Sequence, residues 1–510
     1  MQLVLTLPKK SHLPVYIQVA DAIKFSINRG TLRPGDRLPS IRELSSSLKL
    51  ARQTINRAYE HLSSQNYINI VHGSGTYVLE SPERAAPADN NTDAKLEDLP
   101  AAEGEIDSQQ QHITLSPWAE RLMMSDILAS STPDISVELN YNAALLEVLP
   151  LNLWKKALYK SSSMEDLSML SYTADPLGYR PLREAIAQYL GRARQLVCSP
   201  EQVVVFANTE AGTDKLARVL LQPGDLVAVE EPGSPGVRTT FFTHQARLMP
   251  LQVDQDGIVV NQLVTSKETP RLMYITPSHH DPTGAPMSLA RREMLLDWAK
   301  DKDCLIIEDD YDCEYYYGQR TLPALMSMDK NQRVIYRCNF WKSLFPLVKI
   351  GFLVLPKPLV PVIARAKMLT ERDVSFLEQK ALAEFITLGY FERHLSRTLT
   401  VYESRRAAVL HAIARFCKKD VTASSTTAGT HLLAHFSPDL SEEQIIACAR
   451  SSGVPLISTK QHYAGTPKSN EFIIAFATLS GEAIDDIFRM FADLLKQTRS
   501  TGAPPAPPHS

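Results

Sequence analysis

"RVIYRCNFWKSLFPLVKIGFLVLP", residues 333–356, places Lys342 between two short apolar runs. The runs RVIYR and IGFLVLP are rich in β-branched and aromatic residues, which is typical of buried strands. Lysine is among the residues that are least often buried without a partner. A lysine in such a segment therefore either extends its amine to solvent or uses that amine in chemistry.

Four further apolar runs precede this segment, and helix-length segments separate them. They are EQVVVFA (201–207), DLVAVEEP (225–232), RLMYITP (271–277) and CLIIEDD (304–310). Short aliphatic runs that alternate with helices indicate the strands of a buried, largely parallel sheet. From about residue 135 the sequence therefore predicts an α/β domain.

The length and local charge of the chain predict more than one domain. A chain of 510 residues with 44% hydrophobic residues exceeds the usual size of one core. The net charge is −3, yet the first 80 residues carry ten lysines and arginines against five acidic residues. We predict a basic domain at 1–80, a flexible acidic linker at 81–115 and a larger domain at 116–500. Within the larger domain a smaller C-terminal α/β subdomain is expected at about 375–500, followed by a Pro-rich tail at 501–510.

The cysteines and the hydropathy pattern point to a cytoplasmic protein. Six cysteines lie far apart and form no C-x-x-C pair, so neither a disulfide framework nor a metal site is expected. No signal sequence precedes the basic segment, and no apolar run is long enough to span a bilayer.

The basic segment has the pattern of a winged helix-turn-helix. Helical spacing of apolar residues predicts helices in PVYIQVADAIKFSINRG, IRELSSSLKL and ARQTINRAYEHLSSQNY, and Ser40 is the expected N-cap of the second helix. The final INIVHGSGTYV predicts two strands around a glycine turn. Double-stranded DNA is the predicted partner.

In this arrangement the third helix enters the major groove with its N-terminal residues. Those residues are Ala51, Arg52, Gln53 and Thr54. Arg52 suits a guanine edge and Gln53 an adenine edge. The alternative is that these side chains coat an ordinary solvated helix.

Other basic side chains are expected to position the protein on the DNA backbone. Arg42, Lys49 and Arg57 suit phosphates, while His72 and Gly73 at the tip of the wing suit the minor groove or the backbone. These contacts orient the domain without reading sequence.

Across residues 13–79 the chain resembles the DNA-binding domain of GntR-type bacterial regulators. The resemblance rests on PSIREL, the AYEHL segment and the HGSGTYV wing. The sequence departs from the family at Ala51, where serine is common, and at Ile55, where valine is common. The resemblance implies that residues 1–80 bind DNA.

Across about residues 135–495 the chain resembles a fold-type-I aminotransferase. The motifs DPLGYRPLREAI, YITPSHHDPTG, IIEDDYDCEY and FWKSLFPLVKIGF occur in the order and spacing of that fold. Together with the GntR-type domain they resemble the MocR family of regulators, whose members bind pyridoxal 5′-phosphate (PLP) and form head-to-tail homodimers. The resemblance implies a Schiff base on Lys342, with Asp309 at the pyridine nitrogen and Tyr311 at the ring hydroxyl.

The chemistry of these three residues agrees with that assignment. PLP needs a desolvated lysine amine and a carboxylate that keeps the pyridine nitrogen protonated. Taken singly, each residue also has an ordinary reading: Asp309 as a helix cap, Tyr311 as core and Lys342 as a surface cation.

Several other cofactor positions depart from the family. At the phosphate cup only Thr209 offers a hydroxyl, and Lys349 stands where the family has an arginine. Ser234 replaces the aromatic residue that stacks on the ring, Trp341 replaces a small residue, and Asp281 replaces an aromatic residue near the ring oxygen.

The sequence is compatible with three functions. The first is a regulator that senses PLP or a PLP–amino acid adduct, the second is an active aminotransferase, and the third is a PLP-free regulator that binds another small molecule in the same cleft. Alanine at Lys342 distinguishes them, because it should abolish the response in the first, turnover in the second and neither in the third.

Overall fold

The structure is a computed structural model that describes ten segments of the chain. They are residues 14–28, 31–65, 67–71, 75–79, 115–124, 146–162, 175–317, 322–371, 374–424 and 428–502. The chain divides into two compact units, Met1–Gln111 and His112–Ser510. The predicted linker lies outside the described residues except at Leu115, as does most of the Pro-rich tail. The predicted domain boundaries stay predictions.

In its described segments the smaller unit contains three helices and a three-stranded antiparallel sheet. The helices are α1 (Val15–Asn28), α2 (Ile41–Leu48) and α3 (Arg52–Ser64), and the strands are β1 (Arg37–Leu38), β2 (Ile68–Val71) and β3 (Gly75–Val78). The strand order is β1-β3-β2. This arrangement is the predicted winged helix-turn-helix.

Local chemistry explains the boundaries and core of this unit. The predicted N-cap is confirmed, because the Ser40 hydroxyl accepts the Glu43 amide at 3.3 Å while the Glu43 carboxylate accepts the Ser40 amide at 2.8 Å. Tyr59 is buried on α3 and donates to the Pro39 carbonyl at 2.7 Å. The contact fixes α3 against the turn that precedes α2.

An eight-stranded sheet organises the larger unit. Its strands are β4 (Val203–Phe206), β5 (Leu226–Glu231), β6 (Arg247–Asp254), β7 (Gly257–Ile258), β8 (Leu272–Ile275), β9 (Leu305–Asp309), β10 (Val334–Asn339) and β11 (Gly351–Val354). The spatial order is β4-β11-β10-β9-β8-β5-β6-β7. All six apolar runs of the sequence form strands, as predicted. The unpredicted β6 and β7 lie at one end of the sheet, where β6 is largely exposed and carries no continuous apolar run.

The sheet is parallel through its centre and reversed near one end. The neighbouring strands β10, β9, β8, β5 and β6 run parallel, whereas β11 pairs antiparallel with both β10 and β4. The parallel register places Arg337 beside Asp309 at the carboxyl ends of β10 and β9. Ligands of α/β sheets bind at such carboxyl ends.

A second, smaller sheet follows in the chain. Its strands are β12 (Val421–Ala423), β13 (Leu432–Phe436), β14 (Leu456–Ser458) and β15 (Glu471–Ile474), in the antiparallel order β12-β13-β15-β14. This sheet packs in a core of its own with residues such as Tyr402, Phe472 and Phe488.

Helices cover both sheets. They are α4 (Pro117–Met123), α5 (Leu151–Ser161), α6 (Arg180–Arg194), α7 (Thr209–Leu220), α8 (Pro235–Thr243), α9 (Asn261–Thr265), α10 (Leu289–Asp301), α11 (Leu325–Met328), α12 (Trp341–Leu344), α13 (Val360–Thr370), α14 (Phe376–Thr387), α15 (Tyr390–Ala412), α16 (Glu442–Ser452) and α17 (Ile484–Thr501). Within the described segments, no helix has the length and apolar character that crossing a membrane requires.

Candidate functional site

The exposed face of α3 is the candidate DNA interface. Arg52, Gln53 and Arg57 are exposed on this helix, and Thr54 is half-buried. Ala51 precedes the helix and provides no side-chain cap for its first turn. The helix therefore presents the polar side chains that a major groove requires at its N-terminal end.

The remaining predicted DNA contacts lie outside α3. Arg42 is exposed near the start of α2, and Lys49 is exposed immediately after that helix. His72 and Gly73 lie outside the described residues, so their assignment to the wing tip stays a prediction.

Lys342 lies in the short helix α12, just beyond the carboxyl end of β10. Its side chain is only 3% exposed, which excludes the reading as a surface cation. The Nζ atom donates to the Thr430 hydroxyl at 3.4 Å and lies 5.5 Å from the centre of the Tyr311 ring. Burial lowers the pKa of this amine, an effect that Asp312 and Asp281 oppose. A lysine with a lowered pKa has more of the neutral, nucleophilic form at neutral pH.

Asp309, at the end of β9, is held by two neighbours. Its Oδ2 atom accepts hydrogen bonds from the Tyr274 hydroxyl and from Nη1 of Arg337. Its Oδ1 atom is buried and has no hydrogen-bond partner among the described residues. Burial raises the pKa of the Asp309 carboxyl to about 6, although Arg337 acts in the opposite direction. The unpartnered oxygen leaves one acceptor available to a ligand.

Tyr311 connects the ligand-facing residues to a buried polar cluster. Its hydroxyl lies 3.1 Å from Nδ1 of His279, which is itself 2.9 Å from Oδ2 of Asp312. His279 and Asp312 are buried, so the pair fixes the turn that follows β9. Tyr311 therefore has a defined position beside Lys342.

The loop before β13 brings a second group of residues to Lys342. Gly429 has a φ of +84°, and a Cβ atom there would lie 2.0 Å from Cε1 of His279. This close approach allows the adjacent Thr430 to reach the Lys342 amine. His431 packs against His279 with ring centres 5.2 Å apart. Residues next to both sheets of the larger unit therefore contribute to the site.

Thr209 lies in the first turn of α7, which is the predicted phosphate cup. Its hydroxyl accepts a hydrogen bond from Nη2 of Arg337 at 2.9 Å. The same guanidinium nitrogen lies 2.9 Å from Oε1 of Glu210, whose side chain is 71% exposed. Arg337 thus joins this helix terminus to Asp309.

Two other predicted contacts occupy different surroundings. Asp281 is half-buried, with Oδ1 3.8 Å from Nε2 of His462. Lys349 is exposed, and its Nζ lies 5.4 Å from the centre of the Trp341 ring. Its predicted contact with a phosphate stays a prediction.

The residues present fit the ring end of PLP. A buried lysine with a lowered pKa, an unpartnered carboxylate oxygen on Asp309 and a fixed Tyr311 hydroxyl are the groups that a pyridine aldehyde requires. Lys349 stands where the family has an arginine, but Arg337 supplies a guanidinium near Thr209. In this structure the partner of that guanidinium is the exposed Glu210 carboxylate.

Arg337 is the principal site residue that sequence reasoning missed. Its one signal is a charged residue inside the apolar run RVIYR, where a strand buried on both faces normally carries none. Thr430, His279 and His431 gave no signal, because their approach to Lys342 depends on how distant segments pack.

We expect the substitution Arg337→Met to lower the free energy of unfolding of the larger unit by about 3 kcal/mol, because it leaves the buried Asp309 carboxylate without its cation. All four tryptophans lie in this unit, so their fluorescence in urea reports on its unfolding alone.

The control is Arg218→Met, which removes an exposed ion pair with Asp214 and should change stability by less than about 1 kcal/mol. The double variant Arg337→Met/Asp309→Asn should lose less free energy of unfolding than the sum of the losses in the two single variants. Equal losses for Arg337→Met and Arg218→Met would contradict the buried pair.

Comparisons with known proteins agree with both units. The family described as "Bacterial regulatory proteins, gntR family" matches residues 15–78, and the family "Aminotransferase class I and II" matches residues 135–335. The chain is 30% identical over 503 residues to the probable rhizopine catabolism regulatory protein MocR of Rhizobium meliloti, covering 98% of each protein. It is 26% identical to the HTH-type pyridoxine biosynthesis transcriptional regulator PdxR of Corynebacterium glutamicum, covering 92% of this chain and 93% of PdxR.

Solved structures show the same fold for the larger unit. The α-aminoadipate aminotransferase LysN of Thermus thermophilus, complexed with N-(5′-phosphopyridoxyl)-L-leucine, has a TM-score of 0.66 at 24% identity. The match covers 76% of this chain and 98% of LysN. With a GntR-type domain, an aminotransferase fold and full-length similarity to such regulators, the chain belongs to the MocR family of HTH-type transcriptional regulators.

Proposed function

We propose that this regulator changes its DNA binding when its aminotransferase-like domain binds PLP or a PLP–amino acid adduct. The observation that carries the proposal is the burial of Lys342, with its lowered pKa, beside Tyr311 and Thr430. Burying a lysine amine has an unfavourable free energy, and such burial is common at functional sites. The name of the relative PdxR, a pyridoxine biosynthesis regulator, supports the same ligand class.

The proposed DNA contacts follow from exposed and half-buried polar side chains of the smaller unit. Arg52, Gln53 and Thr54 read base edges, and Arg42 and Arg57 contact phosphates. The partner is double-stranded DNA.

Each residue around Lys342 has a proposed role toward PLP. Lys342 holds the cofactor covalently, Asp309 accepts the pyridine N–H through Oδ1, and the Tyr311 hydroxyl contacts the ring oxygen. Thr209 and Arg337 hold the phosphate. When bound, PLP supplies an aldehyde for the lysine amine and an electron-withdrawing ring.

Asp281 and Lys349 have supporting roles in this proposal. The Asp281 carboxylate lies close enough to raise the Lys342 pKa, and it favours a charged ligand nitrogen. Lys349 adds positive charge at the rim of the cleft. Neither residue forms the covalent attachment.

The response requires that the ligand favours one arrangement of the protein over another. A ligand shifts DNA binding only through its different affinities for the two arrangements. We propose that the protein acts in the cytoplasm as a homodimer, as the resemblance implies. Light scattering of the full chain tests the dimer, and a mass equal to one chain would contradict it.

A second candidate is the same regulator with a phosphate-free ligand. Glu371 already accepts the Ala207 amide at 2.6 Å, and Asn208 already accepts the Ala211 amide at 2.8 Å. One amide in the first turn of α7 and one just before the helix are thus occupied by the protein itself, and neither is available to a phosphate. The Glu210 and Glu371 carboxylates also oppose a dianion there.

We expect the purified full-length protein to develop a visible absorbance band with PLP, and borohydride followed by peptide mapping to place the modification on Lys342. Pyridoxal, which lacks the phosphate, should bind more than about tenfold more weakly, since it forgoes charge-assisted hydrogen bonds to Arg337.

Equal or tighter binding of pyridoxal would favour the second candidate. No band with either aldehyde would overturn both the Schiff base and the role of Lys342. Turnover of amino donors would instead indicate an active aminotransferase.

A further inference from the structure

Two cysteines and a glutamate converge beside the proposed ligand site, although they are far apart in the sequence. The Sγ atoms of Cys313 and Cys338 and a carboxylate oxygen of Glu314 all lie within 4.8 Å of one another. The sequence predicts no metal site, because its cysteines have no metal-binding spacing along the chain. Such spacing does not reveal residues that the fold brings together.

The sheet register explains the convergence. Cys338 lies in β10, which pairs in parallel with β9, so the residues that follow β9 come beside the end of β10. Cys313 and Glu314 belong to the turn 311–314, directly after β9. The cluster therefore rests on two adjacent central strands.

The three donors are at least half-buried, and the glutamate has an oxygen without a partner. Cys338 is 2% exposed, while Cys313 is half-buried and lines a small cavity with Arg194 and Ser278. The Oε2 atom of Glu314 is buried and has no hydrogen-bond partner among the described residues. A buried carboxylate oxygen without a partner is unfavourable unless a cation or donor meets it.

We propose that Cys313, Glu314 and Cys338 form a site for a thiophilic divalent cation of the Zn²⁺ type. Zn²⁺ takes thiolates at about 2.3 Å and carboxylate oxygens at about 2.0–2.2 Å, so two tetrahedral thiolates lie about 3.8 Å apart. Donors that already lie within 4.8 Å reach this arrangement through small side-chain movements. Arg194 lines the same cavity as Cys313, and its guanidinium pairs with Asp310.

Metal binding exchanges protons for the cation. Each thiol gives its proton to solvent as its sulfur bonds to the metal, and the glutamic acid does the same where it is protonated. No electrons are transferred.

The proposed ion has a structural consequence for the neighbouring cleft. It ties the turn that carries Tyr311 to the strand that leads into Lys342. The site itself depends neither on the ligand nor on DNA, so its test is separate from that of the proposed function.

The test is a Co²⁺ titration of the full-length protein after reduction and chelation. We expect one Co²⁺ per chain, with the ultraviolet thiolate-to-metal band and the visible bands of tetrahedral Co²⁺, and displacement of the bands by Zn²⁺. The band should disappear in Cys313→Ser and Cys338→Ser, and Glu314→Gln should bind at least about tenfold more weakly. The control Cys198→Ser, a half-buried cysteine elsewhere in the unit, should match the parent protein.

A measurement on the unsubstituted protein guards against misfolded variants. Zn²⁺ should raise its melting temperature, and a chelator should reverse the shift. The proposal is overturned if the reduced protein shows no thiolate band, or if the band persists after both cysteines are replaced.

Discussion

Replacing Lys342 with alanine should abolish the borohydride-fixed PLP adduct and the effect of PLP on DNA binding. The amine is the atom that forms the covalent bond, and its burial and lowered pKa suit that role. DNA affinity without ligand should remain unchanged, because Lys342 lies in the larger unit and the proposed DNA-contacting residues lie in the smaller one. Absorbance and peptide mapping measure the adduct. Fluorescence anisotropy with labelled DNA measures the DNA affinity with and without PLP.

The matched control is Lys349→Ala, which removes an exposed lysine from the same segment. It should keep the adduct and the response, with at most a modest loss of PLP affinity. An adduct that persists in the Lys342→Ala protein would show that another amine holds the ligand. A DNA response that persists without any adduct would favour a ligand bound noncovalently.

The parts of the fold that the sequence predicted correctly depend on local patterns. Ser40 caps α2 because the serine and Glu43 stand three residues apart, and the six apolar runs form strands because the aliphatic residues are consecutive. Such features need no knowledge of distant contacts. The positions of Lys342 and Asp309 at the carboxyl ends of strands follow in the same way.

The features that sequence reasoning missed depend on pairing between distant segments. Arg337 meets Asp309 because β10 and β9 are adjacent in a particular register, and the proximity of Cys313 to Cys338 has the same origin. The reversed direction of β11 is equally unreadable, since an apolar run looks the same in either direction. Thr430 reaches Lys342 only because Gly429 allows its loop to approach His279.

Two exposed arginines on α3 have different predicted contacts with DNA, which charge alone does not distinguish. Arg52 lies at the first turn of the helix, where side chains reach base edges, and Arg57 lies further along it. A base contact and a phosphate contact differ in what their loss does to specificity. This difference makes the pair Arg52→Ala and Arg57→Ala a matched comparison within one helix.

We expect Arg52→Ala to weaken binding to the preferred site by about 1–3 kcal/mol, or roughly tenfold to a hundredfold, and to leave binding to unrelated DNA nearly unchanged. The preferred site is first selected from random DNA with the full-length protein, and both affinities are then measured by anisotropy across a range of salt concentrations. Arg57→Ala should instead weaken binding to both DNAs alike and reduce the salt dependence by about one counterion. An Arg52→Ala protein that discriminates between sites as well as the parent would contradict base reading by this helix, and the charges of α3 would then serve only to hold the backbone.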